Sequence, residues 1–270
     1  MKKKYVRFYF FLILAILVVL VAFEGYRFAQ FDPLETDFAA KLQSPSRIHL
    51  MGTDQLGRDV FSRVLYGARS SFALTFLMTG LISVIGTWIG MISGYYGGKL
   101  DTLLMRLTDV LLAFPDMIFA IAVAGMLGPG ILNTVLALSC IWWTKYARMA
   151  RGLASVIRTK EYIMEAHLGG AGNWKILMVY IFPNIVPQMI VMAALDVGGM
   201  MLALAGLSFL GLASQPPSPE WGVMLYEGKS YIQTAPWMIF YAGAAIFLVV
   251  FIFNLLGDSL RDLLDPKEEA

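Results

Sequence analysis

Cysteine and histidine are nearly absent from this chain. Cys140 is the single cysteine, so no intrachain disulfide forms, and its apolar neighbours argue against thiol redox chemistry. His49 and His167, the two histidines, lie in separate polar segments and make no ligand cluster with Cys140, so no metal site is expected in the chain itself. Charge is scarce too: 15% of residues are charged and the formal net charge is only +2, which removes any global field for nucleic acid or an anionic partner. No nucleophile stands at motif spacing from a base, so no catalytic residue is nominated. Gly98-Lys99 in G-Y-Y-G-G-K-L-D invites a phosphate-loop reading, but Ser93 stands where that loop needs glycine and Leu100 where it needs Ser or Thr.

What the chain has instead is long apolar runs. Hydrophobic residues make up 58% and the mean hydropathy is +0.68, too apolar for a soluble domain. Phe8 to Phe23, extended by Tyr5 and Val6, gives roughly 19 residues, enough to cross a hydrocarbon core. It opens like a signal peptide or like an anchor. No small-x-small cleavage site follows in E-G-Y-R-F-A-Q-F-D-P, which favours the anchor. Further spans are expected at Phe72 to Ile92, Leu103 to Leu127, Ile131 to Tyr146, Ile185 to Leu207 and Trp237 to Leu256. The expected fold is therefore an all-α integral membrane protein of six transmembrane helices. Residues 1–71 form an anchor and a polar elbow, 72–256 a core, and 257–270 a tail.

The elbow holds Asp54, Arg58, Asp59 and Arg63, alternating in sign. These residues read as surface pairs of a solvated segment, each worth about 0.3 to 0.5 kcal/mol, with a direct substrate role as the alternative. Gly86, Gly90 and Gly94 recur every fourth residue and predict a face for close helix packing. Asp196, Asp116 beside Pro115, and Asn254 are polar groups within or near spans, where an unpaired carboxylate is costly. They are the candidates for lining a pathway, and Asp196 could equally bridge helices. The stretch from Ser208 through P-P-S-P-E-W reads as a rigid interfacial turn. Lys2, Lys3, Lys4 and Arg7 hold the amino end inside, and six spans return Arg261 and Lys267 to that side. The elbow, with Arg27, Lys41, Arg47, Arg58, Arg63 and Arg69 on the outer side, conflicts with this charge rule.

Arg151 to Asn184 is a polar interruption with its own helical pattern: Glu161 to Leu168 predicts about two turns, and Gly169, Gly170 and Gly172 let the chain turn afterwards. This stretch resembles the inner-membrane permease subunits of ABC importers, whose cytoplasmic loop reads E-A-A, three residues, Gly, nine residues, then I-x-L-P. Met164-Glu165-Ala166, Gly170, Tyr180, Phe182 and Pro183 fall at those positions; Ala166, Gly170 and Pro183 match and the others depart. G-T-D-Q-L-G-R-D-V-F-S-R from Gly52, G-Y-Y-G-G-K-L-D from Gly94, L-S-F-L-G-L from Leu207, P-P-S-P-E-W-G-V-M-L from Pro216 and N-L-L-G-D-S-L-R-D-L-L-D-P from Asn254 look like the C-type subunit of the peptide/nickel permease group.

The resemblance implies a type I ABC importer permease fold in a prokaryotic inner membrane, with both termini cytoplasmic. It implies a homologous B-type permease as partner, an extracytoplasmic binding protein, and two ATPase subunits that carry ATP and Mg, with no cofactor on this chain. Glu161, Tyr162, Met164, Glu165, Ala166, His167, Gly170 and Pro183 become the expected ATPase-coupling residues. A-L-D-V-G-G-M-M-L from Ala194 looks closer to the nickel branch, with di- or oligopeptides as the other substrate class. A secondary transporter using Asp196 or Asp116 to couple ions is the rival of another class, and it would not need the long loop. An intramembrane enzyme is a third, which the missing catalytic constellation disfavours.

Overall fold

A chain segment in hydrocarbon must satisfy its own backbone amides, so apolar runs of this length become helices. The computed structural model describes residues 2–264, and helix dominates among them, with one isolated β-bridge between Thr53 and Asp59. The helices are α1 (Lys2–Glu24), α2 (Val60–Tyr96), α3 (Gly98–Leu112), α4 (Asp116–Leu127), α5 (Ile131–Ile157), α6 (Glu161–Leu168), α7 (Asn173–Lys175), α8 (Phe182–Phe209), α9 (Trp221–Gly228) and α10 (Trp237–Leu264). Lys267, assigned above to the inner side, lies outside the described residues.

Four stretches are long and apolar enough to cross a membrane: Lys4–Phe28, Val60–Tyr96, Asn173–Phe209 and Trp237–Leu264, and a fifth arises if α3 and α4 count as one broken span. α5, with 27 residues, is long enough, but its second half carries Lys145, Arg148 and Arg151. The third expected span, Leu103 to Leu127, is not one straight helix: α3 and α4 meet at 88°. Pro115 is the cause, because it lacks an amide hydrogen and pushes Phe114 out of the helical region.

The chain divides into two compact units. One comprises Met1–Leu77, Val123–Val135 and Ala194–Ala270. Its core follows helical spacing: Val60, Val64, Ala68 and Phe72 on α2, Val197, Met201 and Ala205 on α8, and Ala242, Ile246, Val249, Phe253 and Leu256 on α10. α1 packs along α10 and contributes Ala15 and Ala22. The expected rigid turn after Ser208 contains a short helix, α9, whose N-cap Glu220 accepts from the amides of Gly222 (2.9 Å) and Val223 (3.1 Å). Burial pushes the Glu220 carboxyl above its ordinary range, and these hydrogen bonds pull against that shift.

The elbow corrects its sequence reading. Arg58 and Arg63 are each only 1% exposed, and Asp54 and Asp59 are buried, so these are not weak pairs of a solvated surface. The pairing partner missing from the local pattern is Glu227 on α9, far away in sequence. Its two oxygens accept from Arg58 Nη2 (2.8 Å) and Arg63 Nη2 (2.7 Å), while Asp54 accepts from Arg58 Nε at 2.5 Å. Asp59 accepts from the Ser62 amide at 2.7 Å, capping α2, and its other oxygen lies 3.0 Å from His49 Nδ1. Arg27, Arg58 and Arg63, three of the basic residues that conflict with the charge rule, are thus held in ion pairs.

The second unit comprises Met78–Ala122 and Leu136–Ala193. Here α2 lies directly on α5 through its small-residue face. A Cβ at Gly86 would sit 2.4 Å from the Trp143 carbonyl, at Gly90 2.1 Å from that of Ala147, and at Gly94 2.5 Å from that of Arg151. The matching four-residue steps on both helices explain why three glycines suffice to seat them.

A substitution in the ion cluster gives the clearest stability test. Glu227→Ala leaves two buried guanidinium groups with one acidic partner between them and is expected to cost about 3 to 5 kcal/mol. The denaturation midpoint of the detergent-solubilised subunit would report it; a value within experimental error of wild type would contradict the buried network.

Candidate functional site

Non-helical backbone in the polar loop is confined to 158–160 and 169–172. Arg151 to Ile157 end α5, and from Asn173 the chain is helical again, so the fifth span begins well before Ile185. Between them stands α6, with the Glu161–Leu168 bounds expected from the sequence. Eight residues make about 12 Å of helix. It ends in a left-handed turn: Gly170 has φ +78, its amide bonds to His167 O, and the Ala171 amide reaches back to Ala166 O at 2.9 Å. Such a six-to-one closure requires a residue that tolerates positive φ.

The helix has two faces. Ile163 is its one buried residue, and His167, one turn later, turns the same way. The opposite side presents Glu161 and Glu165, together with Met164 (66% exposed) and Leu168 (84% exposed). Tyr162 is also exposed and stacks on Tyr180 at 28°. Ala166 is half-buried. Large apolar side chains standing in the open beside carboxylates are an unusual outcome for a solvated connector.

Polar bonds fix the base of this helix. Asp101 at the start of α3 takes a two-pronged contact from Arg151, Nε at 2.9 Å and Nη2 at 2.5 Å, and accepts from Ser93 Oγ at 2.7 Å. A planar guanidinium on a carboxylate fixes both distance and orientation. Arg158 donates to the Tyr95 carbonyl at 3.0 Å, and Arg148 pairs with Asp109.

On the return side, α7 passes through a π-helical stretch, Ile176–Ile181, into α8. Pro183 lies exposed in the first turn of α8, and the widened stretch ahead of it absorbs the amide that proline lacks. Asn184 supplies a substitute donor, its Nδ2 bonding Tyr180 O at 2.6 Å. Trp88 of α2 stacks between Trp174 and Phe182, at 12° and 19°.

The intramembrane polar candidates are divided between the two units. Asp196 is half-buried within α8, and Asn254 is exposed on α10 beside Gly198; both belong to the first unit. Asp116 belongs to the second and is exposed at the first residue of α4, at the proline bend. Sequence reasoning missed Tyr95, Asp101, Arg158 and Asn173 as parts of the loop's support. Tyr95 and Asp101 lie in G-Y-Y-G-G-K-L-D, which fails as a phosphate loop and reads as a family motif, and nothing in that spacing points to Arg158 or Asn173 as partners.

Residues 86–269 match the family described as the binding-protein-dependent transport system inner membrane component. The chain belongs to this family of ABC importer permease subunits. The permease is 39% identical to a probable D,D-dipeptide transport system permease protein of Escherichia coli K12, over 94% of this chain and 85% of the relative. It is 39% identical to the nickel transport system permease protein of the same strain, over 94% and 92%. A glutathione transport system permease protein of Pectobacterium atrosepticum is 43% identical over 86% and 77%. An all-helical, multi-pass inner-membrane permease is what both the fold and these relatives describe.

The Gly170 turn is open to a graded test. Nothing lies within 4 Å of a Cβ built there, so the cost of a side chain is conformational alone, about 1 to 2 kcal/mol for alanine and less for asparagine. Hydrogen exchange across 161–171 should rise from glycine to asparagine to alanine and be greatest for proline, whose ring forbids the φ. Equal protection in all four would refute the turn's role in holding α6.

Proposed function

We propose that this permease forms half of the translocation path of an ATP-driven importer, paired with a homologous B-type permease, and that α6 receives the stroke of separate ATPase subunits. ATP and Mg are held by those two subunits, and an extracytoplasmic binding protein delivers the substrate. Both termini and α6 then face the cytoplasm. The observation that carries the coupling role is α6 itself: a short, bonded helix with Met164 and Leu168 exposed beside Glu161 and Glu165. An apolar pair rimmed by charge suits a groove on a soluble partner. Gly170 and Pro183 bound the segment that moves, and closure of the ATPases on ATP shifts the equilibrium between inward and outward openings.

For the substrate, nickel or a chelated transition metal rests on the relative named for nickel, and di- or oligopeptides rest on relatives named for D,D-dipeptide and glutathione transport. Equal identity to the first two leaves the choice to experiment. The complete complex in vesicles is expected to take up labelled nickel or a labelled peptide only with ATP and the ATPase subunits. Uptake driven by an ion gradient without them would support instead an ion-coupled transporter using Asp196 or Asp116. Glu165→Lys is expected to leave the complex assembled and hydrolysing ATP while cutting uptake per ATP about tenfold, from a reversed charge at the docking face. Unchanged uptake per ATP would count against α6 as the contact.

A further inference from the structure

Three segments that bracket α6 converge on one residue of α2. Tyr95 is 9% exposed, and its hydroxyl donates to Asn173 Oδ1 at 2.8 Å, on the return helix. The same oxygen lies 3.3 Å from Nε2 of His167, whose ring stacks on the tyrosine at 13°. The Tyr95 carbonyl accepts from Arg158, on the approach to α6. His167 is in turn tied to its own helix, its Nδ1 donating to Ile163 O at 3.0 Å.

We propose that Tyr95 is the positioning residue through which a displacement of α6 passes into α2. This inference rests on the reading of α6 as the ATPase contact. The buried Ile163 gives α6 an apolar seat, and apolar contact is not directional, so a helix held by it alone can roll or slide under load. Hydrogen bonds carry an angular preference. Hydrogen bonds to Tyr95 from before and after α6, with the His167 ring of α6 stacked on the phenol between them, hold the helix at one angle to α2, so pushing the helix moves the end of α2 with it. His167 and Asn173 are exposed, so water can replace the tyrosine hydroxyl at little cost to folding. The hydroxyl is therefore suited to transmit motion more than to stabilise the subunit.

Tyr95→Phe removes that oxygen and keeps the ring, the stack and the Arg158 contact. The test uses the whole complex of both permeases and both ATPase subunits, with Cys140→Ser and a reporter cysteine at Val84, an exposed position on α2. Maleimide labelling at the reporter is compared with and without ATP and vanadate, alongside ATP hydrolysis. With Tyr95 intact, labelling is expected to respond to ATP. In Tyr95→Phe, hydrolysis should stay within about twofold while the labelling response falls at least about fivefold. If Tyr95→Phe does not assemble, the surface variant Asn173→Ala, which removes the acceptor of the tyrosine hydroxyl and lies outside α6, carries the same test. A labelling response that persists in the variant overturns the joint, as does a parallel fall in hydrolysis, which would make Tyr95 a docking or folding residue. A complex that hydrolyses ATP with Tyr95 intact yet shows no labelling response overturns the importer reading and the joint together.

Discussion

Everything at the loop between α5 and α8 depends on how closely α2 approaches α5. Gly86, Gly90 and Gly94 let the backbone of α2 rest on the carbonyls of Trp143, Ala147 and Arg151, with no side chain between. In lipid there is no hydrophobic drive to bring helices together, so contact of this kind relies on dispersion and shape. It also sets a register. With the helices seated there, Arg151 reaches Asp101, Arg158 reaches the Tyr95 carbonyl, and the chain leaving α5 starts from a fixed point. An eight-residue helix hung between two short turns gains its orientation from that frame, since its own length is too short to be stable alone.

Much of this was legible in the sequence, for physical reasons. The four-residue glycine repeat has the period of a helix face, and α6 was bounded correctly because Glu161 opens an apolar-periodic stretch and three glycines close it. The resemblance to ABC permeases needed motifs spread along the chain, since the loop alone matches its pattern only at Ala166, Gly170 and Pro183. Other features depended on contacts that local spacing does not record. The elbow arginines looked like surface charges because their acidic partner, Glu227, is on another helix. Tyr95 and Asn173 have no mark of function in sequence; only folding brings them within 2.8 Å.

The polar clusters around Glu227 and around Tyr95 do different work. Around Glu227 the charges are buried, and removing one partner strands the others, so that cluster locks the elbow to α9. Around Tyr95 the partners on the loop are exposed, and water can take their place. The first arrangement resists change and the second sets an angle without adding much stability. A transporter needs both, a part that stays closed and a part through which force is passed.

Because Ser93 of α2 bonds Asp101 at the start of α3, the Tyr95 joint requires α6, the end of α2 and the start of α3 to move as one body. A spin-label distance between Met164→Cys on α6 and Lys99→Cys on α3, in the complete complex with Cys140→Ser, tests it most directly. The account predicts the same distance in the ATP-free and ATP-bound states. A distance that changes on ATP binding, with α6 swinging against a stationary α3, would contradict it.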